Sequence, residues 1–248
     1  MIYKPAHLPG STPVICQNKT RGMLIIAIND RYLQYAKWQV AHLRAIGWIW
    51  PIRIVSNKRG AVIPSTSMEY VSGSGDWWHR GVKIRAYKLS PWDFTLCHDA
   101  DMIPRNIEDI WNFIKNNDFC ITLDRERPWL KDAWYASVKS KALTLATAGA
   151  DTKHFNSGLV LFSKSERTEL IYRTWAMEWD RDPNQDEPAL ARAIARLKIA
   201  PTEIPITYNW SEHGKIDQIL QAYKRERCIH LWGSGKSALP EIYRILSK

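Results

Sequence analysis

Short apolar runs alternate along this chain with segments whose apolar residues recur every three or four positions. A continuous apolar run predicts a buried strand, whereas recurrence at three or four residues predicts an amphipathic helix. On this basis strands are predicted at 23–28, 52–55, 70–71, 94–97, 119–123 and 159–162. Helices are predicted at 30–47, 77–89, 106–114, 166–180 and 186–197, and from 239 onward.

The order of these elements predicts the fold class. Strands that alternate with helices are typical of α/β proteins with a mostly parallel sheet. We therefore expect one α/β domain over residues 21–248, with a mostly parallel mixed central sheet flanked by helices. Pro5, Pro9 and Pro13 predict an irregular N-terminal arm over residues 1–20. A chain of 248 residues is long enough for one such domain or for two small ones.

Composition adds an expected class and compartment. Hydrophobic residues make up 45% of the chain and charged residues 24%, as in ordinary globular proteins. No apolar run approaches the roughly 20 residues needed to span a bilayer, and residues 1–5 lack the apolar core of a secretory signal. The four cysteines are widely spaced and form no CxxC pair, which disfavours a disulfide framework or zinc site. Cytoplasmic residence is the expectation.

Charge and aromatic content point to anionic and planar ligands without identifying one. The net charge of +10 predicts a surface that attracts anions. Of the 13 tryptophans, we expect most to anchor the core or helix faces, because Trp buries a large area. Others are candidates for stacking on sugar rings or bases.

Two polar clusters supply candidate chemistry. Asp99 and Asp101 follow the predicted strand 94–97, and a second cluster near the carboxyl end runs from His230 to Lys236. Carboxylate oxygens and an imidazole nitrogen bind hard or borderline divalent metals. A metal and an ammonium together stabilise the charge that develops on a departing nucleoside diphosphate. The combination indicates sugar transfer from an activated nucleotide.

The Asp-x-Asp triplet is a weak signal by itself. The chain contains a second one, Asp180-Arg181-Asp182, in a charged stretch that is typical of a helix end. The alternative is that Asp99 and Asp101 cap a turn or helix after the strand. The order and context of further motifs distinguish the two interpretations.

Taken in order, the motifs resemble those of glycosyltransferase family 8, the glycogenin and lipopolysaccharide galactosyltransferase group. The resemblance covers roughly residues 23–240 and implies a single GT-A domain, which is a Rossmann-like fold. The matching blocks are Ile28-Asn29-Asp30-Arg31-Tyr32, Val82-Lys83-Ile84, Asp99-Ala100-Asp101, Phe155-Asn156-Ser157-Gly158, Gln185-Asp186-Glu187 and the His-x-x-Gly-x-x-Lys run at 230–236.

This resemblance implies a UDP-sugar donor and a divalent cofactor, Mn²⁺ or Mg²⁺. Asp99, Asp101 and His230 would bind the metal, and Asp99 would also touch the ribose. Lys236 would neutralise the diphosphate, and Lys83 would approach the donor sugar or phosphate.

The remaining donor contacts are also implied by the resemblance. Asn29 and Tyr32 would contact the nucleoside, with Tyr32 stacked on uracil, and Asp186 would bind sugar hydroxyls. Asn156, Ser157, Gly158 and Gly233 would complete the donor site. The alternatives are that Asn29 and Asp186 cap helices, that Tyr32 is a surface aromatic, and that 156–158 form a polar turn.

Two departures from the family pattern bear on mechanism. Ile28 stands where the family usually has Thr, which removes one hydroxyl contact to the nucleotide. Glu187 stands where the family usually has Gln. Because a retaining double displacement needs a carboxylate near the anomeric carbon, we hypothesise that Glu187 stabilises the transition state or forms a transient glycosyl-enzyme. The alternative is a solvated Glu at a helix start.

The acceptor is left open by the sequence. Residues 125–153 lie where this family builds its acceptor side, and they interleave basic residues with Trp129, Trp134 and Tyr135. Basic and aromatic residues together suit a phosphate backbone and unstacked bases. A hydroxymethylated base in DNA is therefore one candidate acceptor, with residues 77–80 as a second such cluster. The rival is a saccharide or lipopolysaccharide-type acceptor.

Two other classes remain as alternatives. The chain could be a non-catalytic module that binds a nucleotide sugar, although the complete set of Asp99, Asp101, His230 and Lys236 argues against loss of activity. It could also be another nucleotide-binding α/β protein. Because neither GxGxxG nor GxxxxGK[ST] occurs, a Rossmann dinucleotide site and a P-loop are disfavoured.

Overall fold

A seven-stranded sheet forms the centre of the computed structural model, which describes residues 19–73 and 78–247. The strands are β1 (Arg21–Ile26), β2 (Ile52–Ser56), β3 (Ser67–Tyr70), β4 (Phe94–Asp99), β5 (Met102–Pro104), β6 (Phe119–Leu123), β7 (Phe155–Ser163), β8 (Thr202–Ile204), β9 (Trp210–Glu212) and β10 (Cys228–Leu231). The large sheet has the order β3-β2-β1-β4-β7-β6-β8, and β5-β10-β9 form a second, small sheet.

The large sheet is mixed and mostly parallel. β1 pairs in parallel with both β2 and β4, and the pairs of β2 with β3 and of β6 with β8 are also parallel. β7 is inserted antiparallel between β4 and β6. The predicted fold class is therefore confirmed.

Helices cover both faces of this sheet. They are α1 (Asn29–Ala45), α2 (Trp78–Lys83), α3 (Ala86–Leu89), α4 (Val138–Ala148), α5 (Glu166–Arg181), α6 (Asp186–Leu197), α7 (Ile216–Arg225) and α8 (Leu239–Leu246). Successive side chains of a strand point to opposite faces. Met23 and Ile25 of β1 accordingly join one core cluster with α1, α7 and α8, whereas Leu24 and Ile26 join a second with α5 and α6.

Several predicted elements differ in extent from those observed. The segment predicted as a helix at 77–89 contains two short helices, α2 and α3, and Trp77 lies outside the described residues. The predicted helix at 106–114 is a 3₁₀ turn at Glu108–Asn112. Ile107 and Ile110, like Trp111 and Ile114, are three residues apart and buried, a spacing that suits the three-residue repeat of a 3₁₀ turn.

Other elements were not predicted. These are α4, α7 and the short strands β5, β8, β9 and β10. Residues 155–158 belong to β7 and are not a turn before it. The predicted arm at 1–20 lies outside the described residues apart from Lys19 and Thr20. No helix within residues 19–73 and 78–247 combines the length and apolar character that crossing a membrane requires.

A buried ionic cluster joins α5 to α6. The carboxylate of Glu178 accepts hydrogen bonds from Arg192 Nε at 2.9 Å and from Arg181 Nη1 at 3.0 Å, and it also contacts Arg196. Arg192 is fully buried, with its side chain 0% exposed. A guanidinium in this position is stabilised only while its anionic partner remains.

We expect Glu178→Gln to lower the free energy of unfolding by about 3 kcal/mol, because a buried ion pair that loses one partner leaves an uncompensated charge. Urea denaturation followed by circular dichroism measures this. Glu241→Gln is the control, because Glu241 pairs with Arg244 on an exposed face of α8 and such pairs contribute little. Equal effects of the two variants would contradict the expected role of the cluster.

Candidate functional site

The side chains of three predicted metal ligands meet where the large sheet joins the small one. Asp99 is the last residue of β4, and Asp101 lies in the turn between β4 and β5. β10 pairs antiparallel with β5, which places His230 opposite Met102. The Leu231 backbone N–H also donates to the Asp101 carbonyl at 3.0 Å. Pairing of β5 with β10 thus brings His230 to the two carboxylates.

The turn that carries the two carboxylates is held from α1. Gln39 is fully buried, and its Nε2 donates to the backbone carbonyls of Asp99 at 3.0 Å and Met102 at 2.7 Å. These bonds fix the backbone on both sides of Asp101. The carboxylate positions are therefore set by the core.

The ligand atoms are close enough to share one cation. His230 Nε2 lies 3.4 Å from Asp101 Oδ1 and 3.8 Å from Asp99 Oδ2. One ligand atom from each of the three side chains lies within 4.8 Å of the other two. Asp101 Oδ1 is buried and has no hydrogen-bond partner among the described residues. A buried carboxylate oxygen of this kind calls for a cation or a donor.

The tautomer of His230 follows from its neighbour Asn209. Asn209 Nδ2 donates to Thr122 Oγ1 at 2.8 Å and to Asn156 Oδ1 at 3.0 Å, which turns its oxygen toward His230 Nδ1 at 3.0 Å. His230 therefore donates from Nδ1 and presents the Nε2 lone pair to the carboxylates. A neutral imidazole oriented by its other nitrogen is the usual form of a histidine metal ligand.

These observations fit a divalent cation. Two carboxylates, one unpartnered carboxylate oxygen and one imidazole lone pair converge in a place with little solvent. Carboxylate and imidazole donors together suit Mn²⁺, and carboxylates with water suit Mg²⁺.

Two lysines neutralise the carboxylates from opposite sides. Lys236 Nζ lies 2.5 Å from Asp101 Oδ2 and 3.0 Å from the Tyr32 hydroxyl. Lys83 Nζ lies 2.7 Å from Asp99 Oδ2 and 3.6 Å from Asp186 Oδ2. Both ammonium groups therefore border the carboxylate cluster, and ammonium groups of this kind form charge-assisted hydrogen bonds with phosphate as well as with carboxylate.

Interactions within this cluster keep Lys83 positive and Asp101 negative in spite of their burial. Burial alone would lower the pKa of Lys83, but Asp99 and Asp186 raise it far above its usual value. Burial would raise the pKa of the Asp101 carboxyl, but the Lys236 ammonium holds it well below its usual range. Burial raises the pKa of Asp99. Asp101 is therefore the firmly anionic member of the pair.

The residues predicted to face the donor sugar lie side by side at the start of β7 and α6. Asn156, Ser157 and Gly158 are buried in β7. The Ser157 hydroxyl donates to Asp186, and the Ser157 backbone N–H donates to Glu187 Oε1 at 3.2 Å. Asp186 and Glu187 form the first turn of α6, where the helix dipole stabilises negative charge.

Gly158 leaves space for the imidazole of His230. A Cβ at this position would lie 2.4 Å from His230 Cε1 and 2.7 Å from Nδ1. Both distances are shorter than van der Waals contact. His230 Nδ1 is also the atom that is hydrogen-bonded to Asn209. The absence of a side chain at 158 is thus a condition for the observed ring position.

We expect Gly158→Ala to weaken Mn²⁺ binding by roughly 10- to 100-fold, as loss of an outer-shell contact to a ligand does. Isothermal titration of the purified protein with Mn²⁺ measures the affinity. The melting temperature without metal serves as the control for folding. Unchanged affinity in a normally folded variant would show that His230 is not a ligand.

Two residues of the predicted donor site lie apart from the others. Asn29 is exposed, and its side-chain oxygen accepts the Tyr32 backbone N–H at 3.2 Å. Its φ of 75° is left-handed, a conformation that Asn tolerates better than most residues. Gly233 is exposed at the start of a 3₁₀ turn, with φ 54°. Neither lines the cleft described next, and their donor contacts stay predictions.

The three predicted metal ligands line one cleft of about 360 Å³ together with Asn156 and Asp186, whereas Ser157 and Gly158 do not line it. This volume is typical of small-ligand sites. Tyr32, Lys83, Asp101, Glu187 and Lys236 are among its lining residues. Sequence reasoning did not single out several others. These are Asp124, His154, Ser211 and Trp232. Asp124 alone carried a usable signal, because it follows a predicted strand as Asp99 does.

Comparison with known proteins finds similar structures but no similar sequences. No protein-family model matches the chain, and no curated protein matches it in sequence. The galactosyltransferase LgtC, solved with donor and acceptor sugar analogs, matches over 92% of this chain and 96% of its own, with a TM-score of 0.59 and 14% identity. The bifunctional glycosyltransferase WbbM in its apo form matches over 94% of this chain, with a TM-score of 0.64 and 13% identity.

The chain has the GT-A fold. A further similar structure is an active-site mutant of LgtC in which glutamate replaces glutamine, matched over 92% of this chain and 96% of its own, with a TM-score of 0.57 and 13% identity. The chain spans 50% of the length of WbbM. The resemblance drawn from the ordered motifs is confirmed at the level of fold.

Proposed function

We propose that this protein is a metal-dependent retaining glycosyltransferase that moves a hexose from a UDP-sugar to an acceptor hydroxyl. The observation that carries the proposal is the convergence of Asp99, Asp101 and His230, with the unpartnered Asp101 oxygen, beside Lys83 and Lys236. This arrangement occurs within a glycosyltransferase fold.

Asp99, Asp101 and His230 would hold the divalent ion, Mn²⁺ or Mg²⁺. When bound, the ion supplies Lewis-acid stabilisation of the negative charge on the diphosphate. Lys236 and Lys83 add positive charge on two sides of the same group. Tyr32, whose hydroxyl is already bonded to Lys236, would stack on the uracil ring.

The sugar end of the donor would lie against β7 and α6. Asp186, fixed by Ser157 and Lys83, would bind sugar hydroxyls. In a front-face route the acceptor oxygen bonds to the anomeric carbon as the bond from that carbon to the diphosphate oxygen breaks. The acceptor proton passes to that diphosphate oxygen, so no separate general base is required.

We infer that the acceptor is a saccharide and not DNA. The basic residues of 125–153 largely have partners. Lys131 pairs with Asp151, Lys153 pairs with Glu203, and Arg125 stacks on Trp210 at 3.9 Å. Asp124 and Glu126 also line the cleft, where they would repel a phosphate backbone. Trp134, which is 49% exposed at the cleft, offers a platform for a sugar ring.

The experiment that tests the function is incubation of the purified protein with Mn²⁺ and a panel of UDP-sugars, with released UDP as the measurement. We expect one donor to be consumed, faster with a saccharide acceptor present. UDP binding without release from any donor would instead support a binding module. A salt-sensitive gel shift on DNA without nucleotide sugar would support the DNA acceptor.

A further inference from the structure

The side chain of His154 is buried beside Glu187 and takes no part in the metal site. His154 is 3% exposed, directly precedes β7, and lines the same cleft as Glu187. Its Nε2 lies 3.6 Å from Glu187 Oε2. Nε2 is also buried and has no hydrogen-bond partner among the described residues.

The backbone fixes one of the two ring nitrogens. His154 Nδ1 lies 2.9 Å from the Arg127 carbonyl oxygen, which can only accept, so Nδ1 carries a hydrogen. The backbone N–H of His154 also donates to the Pro128 carbonyl at 2.8 Å. The ring is therefore held in one orientation, with Nε2 directed at the Glu187 carboxylate.

The charges around Nε2 favour the doubly protonated ring. A neutral ring with hydrogen on Nδ1 would present a lone pair to a carboxylate, which is repulsive. The charged groups that act on the ring are Glu187 of α6 and Asp124 after β6, and both are anionic. Burial alone would lower the pKa of His154, but the Glu187 contact raises it above its ordinary value.

Glu187 is thereby held at both oxygens. Oε1 accepts the Ser157 backbone N–H at 3.2 Å, and Oε2 faces the imidazolium of His154. The side chain of Glu187 is 27% exposed, so the held carboxylate still reaches the cleft. A freely rotating Glu at a helix start would have neither constraint.

We propose that His154 is a positioning residue that holds the Glu187 carboxylate oriented toward the donor sugar. This inference rests on the proposed function. It adds a partner for the carboxylate, and it explains why a buried histidine lies on this wall of the cleft.

The direct test is the titration of His154 by NMR, with its imidazole signal assigned by its absence in His154→Gln. We expect the pKa of His154 to fall in Glu187→Gln, because the anionic partner is removed. His42 is the control, and its titration should not change in Glu187→Gln. It lies in α1, its ring contacts the Pro104 carbonyl, and burial lowers its pKa. An unchanged His154 titration in Glu187→Gln would overturn the pairing without any assay of transfer.

The second test is kinetic. We expect His154→Leu to lower kcat on the order of 100-fold, the loss that misplacement of a reacting group by about 1 Å brings, with little change in KM for the donor. In the wild type kcat should fall as pH rises through the raised pKa of His154, since deprotonation removes the positive charge that faces Oε2. His154→Gln keeps a neutral donor, so it should recover part of kcat and lose this alkaline fall.

The outcomes separate the two proposals. Wild-type protein that consumes no UDP-sugar would refute the function and leave the NMR result standing. Active wild-type protein with an equally active, folded His154→Leu variant would refute the positioning role alone.

Discussion

Asp101→Asn is expected to abolish Mn²⁺ binding at micromolar metal and to lower sugar transfer about 1000-fold or more. Lys236 holds the pKa of the Asp101 carboxyl well below its usual range, so this carboxylate stays anionic. The amide has nearly the same shape, but it removes the negative charge and replaces one of the two oxygens, Oδ1 beside His230 or Oδ2 beside Lys236, with an NH2 group. Electron paramagnetic resonance of free Mn²⁺ measures binding, and UDP release measures turnover.

The chain provides its own control for this change. Asp180→Asn alters the second Asp-x-Asp triplet at an exposed residue near the end of α5, and should leave both measurements unchanged. The melting temperature of metal-free Asp101→Asn reveals any loss of folding through Lys236, which would lose its anionic partner. A folded Asp101→Asn variant that still binds Mn²⁺ with wild-type affinity would show that the cation lies elsewhere.

The central strands were predictable because of where they lie in the sheet. β1 and β4 are parallel strands buried on both faces, and such strands have continuous apolar sequences. Asp99 follows from the same reasoning, since a polar residue directly after a buried strand lies at the sheet edge. The carboxylate pair of Asp99 and Asp101 could therefore be predicted from the sequence, even though residues 180–182 have the same Asp-x-Asp pattern.

The short elements were not predictable in the same way. β5 and β10 are short strands of a small sheet, and their pairing depends on tertiary contacts that no local pattern encodes. His230 was proposed as a ligand from its residue type and from the resemblance, not from any predicted strand pairing. The structure supplies the physical reason, which is the register of His230 against Met102. α7 was overlooked although Ile216, Ile219 and Tyr223 recur at helical spacing and pack on the core.

The sequence does not reveal which residues orient the side chains of the site. Asn209 lies after a 3₁₀ turn and is identified only by its bonds to His230 and Asn156. His154 is a single histidine in a polar segment. Gly158 matters because of the space that its missing Cβ leaves for His230. Such roles depend on distances between segments remote in sequence, so they require coordinates.

Glu187→Gln is expected to lower turnover roughly 100- to 1000-fold, the range typical of losing one preorganised electrostatic contact to the transition state. The amide oxygen can still accept the Ser157 N–H, so the side chain keeps its place while its charge is lost. We expect KM for the donor to change little, because the predicted ground-state contacts belong to Lys83, Asp186 and Lys236. Initial rates of UDP release with the preferred donor measure both constants.

The matched control for this change is Glu166→Gln. Glu166 also lies in the first turn of a helix, α5, but it is exposed, so it represents a solvated Glu at a helix start. If both variants kept wild-type turnover, Glu187 would be equivalent to Glu166 and the carboxylate hypothesis would be wrong. If only Glu187→Gln lost turnover, the intact mass of wild-type protein quenched during reaction with the donor would separate its two roles. A gain of one hexose that is absent from Glu187→Gln identifies a glycosyl-enzyme, whereas no gain identifies Glu187 as an electrostatic stabiliser of the oxocarbenium-like transition state.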